Sequence, residues 1–262
     1  IKICTNQRFK FVIFYMGNLI KIKGDASFRT FFRKKNVKGN SIIVFAKKEK
    51  YKNLLVYDAI NKILIKNKIL APHLFSENLR KNYIEIEDFG NKTIFKELNK
   101  RGNNKFNYYK KIVDLLIKIQ SIKDRQINTF KNKKYSIPRY ENKILIQEAN
   151  LFCDWYIKNN FSKKNREKFS KEFKKIIKKL ASSLMLKDDV FVHRDFHISN
   201  LMLVNNNIGV LDSQDALIGN KAYDLASLID DVRFKTSYQL KKKIFNYYIK
   251  TNKKIEIDKF KQ

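Results

Sequence analysis

The 262-residue chain is 44% hydrophobic and 13% aromatic, which excludes a disordered polar segment and leaves enough apolar side chain for a sizeable core. Its formal charge of +32 invites a nucleic-acid or acidic-membrane partner, but the excess is 47 Lys against 10 Arg, spread along the chain among Ile, Asn and Phe that share AT-rich codons. Composition therefore accounts for the charge as well as a partner does, and a nucleic-acid role is set aside because such surfaces favour the bidentate Arg.

Two cysteines, Cys4 and Cys153, make no disulfide framework, so the expected compartment is the reducing cytoplasm. The apolar run Phe11–Met16 is too short to span a bilayer and lacks a signal-peptide cleavage site. With Ile1 first and the polar IDKFKQ last, the sequence is expected to be a fragment at one or both ends.

Residues 19–46 alternate as strands: LIKIKGDASFRTFFRKK with a turn at Gly24–Asp25, then SIIVFA at 41–46. Tyr51–Asn67 has a helical period, with Leu55, Ala59 and Ile63 spaced by four, and ends at Ala71-Pro72. Tyr83–Glu87 alternates again and stops at Gly90. Beyond it the spacing predicts three helical stripes, each expected to face the core. The first is Tyr109, Ile112, Val113, Leu116 and Ile119; the second Ile144, Leu151, Phe152 and Trp155; the third Phe169, Phe173, Ile176, Leu180 and Leu184. Two short strands then flank a turn near Asn205–Asn207. Helices return at Asp224, read as an N-cap, and at Thr236, which with Gln239 fits a capping box. The order predicts a strand-rich part, residues 1–88, and a helical part, residues 89–262, with a hinge near Glu87–Gly90.

One stretch concentrates the chemistry: FVHRDFHISNLMLVNNNIGVLDSQDA, Phe191 to Ala216. His193 and His197 are spaced as helical zinc ligands would be, but their flanks read as strands and no third Cys or His ligand is near. Phosphoryl transfer explains more. It needs a carboxylate to take the acceptor hydroxyl's proton and hard oxygen donors for Mg²⁺ on the ATP phosphates. Asp195 and Asn200 have the H-R-D-x-x-x-x-N spacing of a kinase catalytic loop, and a hairpin over 201–211 returns the chain so that Asp212 lies beside Asn200. Asp195 is then the base, with Asn200 and Asp212 as metal ligands. The bland reading, a surface turn and a strand end, fits each residue singly but not the three in series.

These residues resemble the aminoglycoside phosphotransferase/choline kinase family. HRDFHISN matches its H-x-D-x-H-x-x-N loop, LDSQD its I-D-x-x-D segment and AYDLASL its Y-D-L-A helix start. No D-F-G or A-P-E of a protein kinase is present. Within the family the wording is most similar to the anomeric kinases of N-acetylmuramate and N-acetylglucosamine. Those carry D-A-S-F-R-x-x-F-R, then H-R-D-(Y/F)-H-x-x-N-L-M, then D-x-Q-D-A; here stand GDASFRTFFR at 24–33, HRDFHISNLM at 193–202 and DSQDA at 212–216.

The resemblance implies an α+β, two-lobed protein-kinase-like fold and a cytoplasmic kinase using ATP and Mg²⁺ on a small-molecule acceptor, an amino sugar from peptidoglycan recycling. Another alcohol, such as an aminoglycoside or choline, and a non-catalytic kinase fold or basic nucleic-acid-binding protein are the alternatives. It implies that the Gly24–Arg29 hairpin covers the ATP phosphates through backbone N–H groups of Gly24, Asp25 and Ala26 and the Ser27 hydroxyl, where the bland reading is an ordinary β-turn. It also implies that the Tyr83–Asp88 strand, with Glu87, meets adenine through its backbone. His193, Arg194 and His197 brace the loop, and Asp224 caps its helix and ties it to the loop. Asp215 either orients Asp212 or is a solvated turn residue. Asp154 and Trp155, in FCDWY, either line the acceptor pocket or, for Trp155, pack in the core. The chain departs from the pattern at the third strand, where SIIVFAKKEK offers an ATP-binding Lys only at its end, Lys47 or Lys48, and at Ser213, where the sugar kinases carry Phe. The family pattern also continues with helices beyond the equivalent of Gln262.

Overall fold

The protein's structure, a computed structural model, describes residues 19–22, 29–37, 39–47, 52–183 and 189–252. Alternating apolar positions build the first layer. Strands β1 (Leu19–Ile22), β2 (Arg29–Lys34) and β3 (Ser41–Ala46) pair antiparallel in succession, and β5 (Tyr83–Glu87) and β4 (Leu74–Asn78) complete the sheet in the order β1-β2-β3-β5-β4. Directly paired residues share a face. The register therefore puts Arg33, Ile42 and Ile86 in one row, Phe31, Val44 and Ile84 in the next, and Arg29 with Ala46 in a third, all on the same side.

Helix α1 (Lys52–Lys66) packs between this sheet and the helices that follow. Leu54 and Tyr57 join the sheet's core, while Ile60, Ile63 and Leu64 join the larger helical core. Burial on two sides explains why Tyr57, Asp58, Ile60 and Asn61 are buried beyond the single stripe read from sequence, while Leu55 is only half-buried.

The helical part opens with α2 (Ile94–Leu98), capped by the Thr93 hydroxyl, and α3 (Lys105–Gln120), capped by Asn104. The α3 stripe of Tyr109, Ile112, Val113, Leu116 and Ile119 is wholly buried, as its period predicts. A small hairpin of β6 (Gln126–Asn128) and β7 (Lys134–Ser136) leads to α4 (Asn142–Leu151), a π-helical turn (Phe152–Ile157) and α5 (Lys163–Ser183).

The described residues of the second and third stripes are not core; Leu184, the last of the third, lies outside the described residues. Trp155 is 71% exposed, Ile176 56% and Leu180 57%, and Leu151 and Phe152 are exposed as well. Phe152 and Phe173 meet at a tilt with 5.3 Å between ring centroids, so the π-helical turn and α5 share what cover they have. Helical period shows that a helix has an apolar face; it does not show that a partner covers it.

The remaining elements carry the site: β8 (Val190–Val192), β9 (Leu201–Val204), β10 (Asn207–Val210), β11 (Leu217–Gly219), α6 (Ala222–Ile229) and α7 (Tyr238–Thr251). The β9–β10 turn places Asn205 and Asn206 at φ of 47° and 64°, which asparagine tolerates better than most side chains. β11 pairs with β8, a contact that the sequence reading lacks, and so closes the 193–216 loop at its base. Helix α7 is capped by Ser237 rather than by Thr236, whose hydroxyl donates to the Phe234 carbonyl instead. Among the described residues no helix is long and apolar enough to cross a membrane.

Candidate active site

The loop after β8 is fixed from below by Asp224. Helix α6 starts at Ala222, so Asp224 lies inside its first turn and does not cap it, contrary to the expectation from sequence. Its buried carboxylate instead accepts the backbone N–H of His193 at 2.7 Å and of Arg194 at 2.9 Å. Burial pushes this carboxyl up to about 7, against the pull of those two bonds. Arg194 sits at φ 75°, a strained backbone for a non-glycine, and its guanidinium pairs with Glu148 of α4. The wholly buried His193 lies 3.1 Å through Nε2 from the Leu211 carbonyl, which can only accept, so Nε2 carries the proton. Desolvation holds this imidazole down to about 4, hence neutral at pH 7.

Asp195 is thereby presented at the loop's crest. His197 Nε2 lies 3.0 Å from its Oδ1, and Asn200 Nδ2 donates to its Oδ2 at 2.9 Å and to its backbone carbonyl at 3.1 Å. The His197 hydrogen bond, foremost, holds the Asp195 carboxyl down to about 2. With Nδ2 of Asn200 so committed, its Oδ1 is the atom left for a ligand. Leu211 donates to the Asn200 carbonyl at 2.9 Å, and this closure of the hairpin returns Asp212 to the same cleft. Asp212 adopts φ 62°, and Ser213 after it donates to Asn61 of α1 at 2.6 Å. Asp215 accepts from Gln214 at 2.8 Å.

Asp195, Asn200, Asp212 and Asp215 line a cleft of about 750 Å³ whose opposite wall is the sheet and whose end is Glu87–Asn91. Glu87 lies at that end, its own N–H donating to the His73 carbonyl. Two residues whose side chains had no assigned role in the sequence enter here. Arg29 and Arg33 flank Phe31 on β2, and alternation turns all three into the cleft. Arg33 grips Asp88 with Nε at 2.5 Å and Nη2 at 2.9 Å, and also reaches the Gly90 carbonyl and Asn91. Arg29 donates to Asp212 at 2.7 Å and to Gln214. The signal was available: FRTFFR puts two cations on one strand face, where a solvated strand would scatter them.

Other predicted residues lie elsewhere. Gly24, Asp25, Ala26 and Ser27 fall outside the described residues, as does Lys48. Lys47 is exposed past the end of β3. Asp154 and Trp155 are exposed on the π-helical turn and do not line this cleft. Among the described residues no cluster of three His, Cys, Asp or Glu side chains suits a metal. The amide oxygen of Asn200 and the carboxylate of Asp212 are hard oxygen donors, the kind that suits Mg²⁺ where phosphate and water supply the other ligands.

The model of the phosphotransferase enzyme family matches residues 18–254. The chain is 26% identical over 215 residues to an N-acetylmuramate/N-acetylglucosamine kinase of Pseudomonas putida, covering 82% of this chain and 60% of that protein. It is 28% identical to a protein of the same name from Pseudomonas aeruginosa, with the same coverage. The chain thus spans 60% of the length of these relatives. Among solved structures, the streptomycin–ATP–APH(2")-IIa ternary complex aligns with a TM-score of 0.64 at 14% identity, covering all of this chain and 86% of that one. A Plasmodium vivax ethanolamine kinase aligns at 0.62 and 16% identity, covering 93% and 70%. These alignments establish an α+β, protein-kinase-like fold.

Proposed function

This chain belongs to the phosphotransferase enzyme family, and we propose that it is an ATP- and Mg²⁺-dependent small-molecule kinase acting on the anomeric hydroxyl of N-acetylmuramate or N-acetylglucosamine. The observation that carries the reading is the convergence of Asp195, Asn200 and Asp212 on one cleft between sheet and helices. The names of the relatives that match 82% of the chain support the acceptor.

Asp195 receives the acceptor's hydroxyl hydrogen. A carboxylate held near 2 is a weak base, so it orients the hydroxyl first and takes the proton late, as the bond to phosphorus forms. Asn200 Oδ1 and Asp212 would hold Mg²⁺, which when bound neutralises charge on the phosphates. Asp224 and His193 keep the loop in register for this, and Arg194, through Glu148, ties it to α4. Residues 1–88 would bind the nucleotide, with Gly24–Ser27 over the phosphates and Glu87 beside the base. Residues 89–262 would carry the loop and the acceptor site, in the cytoplasm where ATP is supplied.

The chain's balance of 25 Asp and Glu against 57 Lys and Arg argues against a polycationic aminoglycoside, and two of the cleft's acids, Asp88 and Asp212, are already paired with Arg33 and Arg29. The deciding experiment is a phosphotransfer screen over amino sugars, aminoglycosides and choline with the product identified. Phosphate on an anomeric oxygen is expected; transfer confined to aminoglycosides or choline would refute the acceptor, and no transfer to any acceptor the activity.

A further inference from the structure

Protein-kinase-like folds commonly grip the ATP phosphates with a Lys on the third strand, itself held by a Glu of the next helix. Among the described residues neither stands where it is needed; Lys48 lies outside them. The cleft-side positions of β3 are Ile42, Val44 and Ala46, all apolar and buried. Lys47 lies past the strand's end, exposed. Helix α1 carries no Glu at all, and its one Asp, Asp58, pairs with Lys62 on its own helix at 2.8 Å.

Among the described residues the cleft-side face of the sheet nonetheless carries two cations, both on β2. Arg33 spends its fork on Asp88, Gly90 and Asn91 at the far end of the cleft. Arg29 stands directly opposite Ala46, one strand over from where the Lys would be, and is only 8% exposed. Its guanidinium reaches across the cleft to Asp212 and Gln214, within 6 Å of the Phe31 and Tyr57 rings (5.8 and 5.9 Å to their centroids).

From this placement we propose that Arg29 is the residue that grips the nucleotide's phosphates, a cation moved from the third strand to the second and steadied by Gln214 and Tyr57 in place of a Glu. The assignment rests on the kinase reading above. Arginine suits the displaced position. Its reach makes up for a strand spacing of about 4.8 Å, and its five N–H donors let it keep Gln214 and Asp212 while turning others to phosphate oxygens. A lysine with three donors on one nitrogen has no such spare geometry.

The test compares binding of Mg·ATP and of adenosine, by calorimetry, in the wild type, Arg29→Gln and Arg29→Lys, with thermal melts to confirm folding. A lost charged hydrogen-bond set predicts ATP binding about 10- to 100-fold weaker in Arg29→Gln, and several-fold weaker in Arg29→Lys, with adenosine unchanged within about threefold. Arg29→Lys keeps a charge beside Asp212 and so guards against a variant that fails to fold. ATP affinity unchanged in whichever variant folds, or ATP and adenosine weakened by the same factor, overturns the assignment while the kinase reading stands. A wild type that binds neither ATP nor adenosine overturns both.

Discussion

His197 Nε2 lies 3.0 Å from Asp195 Oδ1, and this contact more than any other sets the acidity of the residue at the centre of the cleft. A carboxylate held near 2 stays ionised throughout the neutral range. It has little power to deprotonate a sugar hydroxyl in the ground state, but a loose phosphoryl transition state asks for that only late. Replacing the acceptor oxygen should therefore remove the chemistry and leave the nucleotide site. Asp195→Asn is expected to lower kcat by about 10²- to 10⁴-fold while Mg·ATP affinity stays within a few-fold. Single-turnover transfer and calorimetry separate the two; a variant with near-normal turnover would defeat the role.

The same contact gives a titration test. In His197→Asn the main cause of the depressed acidity is gone, so the Asp195 carboxyl should titrate closer to its ordinary value of about 3.9. The sign is upward, because removing a hydrogen bond to the ionised form disfavours that form. Carbon NMR of the side-chain carboxyls, assigned against Asp195→Asn, would follow it. An Asp195 resonance that titrates alike in wild type and His197→Asn would detach His197 from this role.

His193 makes stability depend on pH. It is wholly buried and its folded value is depressed from 6.5 to about 4. Between those values the unfolded chain binds the extra proton, so the contribution is complete above about 6.5 and is lost as pH falls toward 4. Going from pH 7 to pH 5 should cost the wild type about 2 kcal/mol through this residue. Asp224, raised to about 7, acts with the opposite sign in the same window, so the global curve alone is not diagnostic. The difference between wild type and His193→Gln cancels Asp224. Urea melts at the two pH values should show that difference shrinking by about 2 kcal/mol on acidification; a constant difference means that His193 is not held neutral by burial.

What the sequence disclosed follows from how local each signal is. The strands at 41–46 and 83–87, the α3 stripe and the 193–212 loop are written in runs of neighbouring residues, and each stands where its pattern puts it. The pairing of β8 with β11 is set by a return of the chain, and no short window contains it. Asp224 illustrates the limit more sharply. A first-turn Asp resembles a cap on any one-helix view, and only the loop lying over it reveals that its partners are 30 and 31 residues away. Arg29 and Arg33 were legible as a pair on one strand face. Their partners, Asp212 and Asp88, were not, being 183 and 55 residues distant.

Gly209 offers a mechanical test of how the cleft's end is supported. It lies on β10 opposite Met202, and a β-carbon placed there would stand 2.7 Å from Cε2 and 2.9 Å from Cδ2 of Phe89. Phe89 is nearly buried, lines the cleft, and follows Asp88, which Arg33 clamps. The ring therefore has little freedom to retreat without moving the segment that joins sheet to helices. Overpacking of this kind costs about 1–3 kcal/mol. Gly209→Ala should lose that much stability and bind adenosine more weakly, because the displaced ring belongs to the proposed base-binding end. The double variant Gly209→Ala with Phe89→Leu, which shortens the obstructing side chain, should recover part of the stability relative to the sum of the single changes. Strictly additive losses in that cycle would show that the glycine is required for some reason other than room for Phe89.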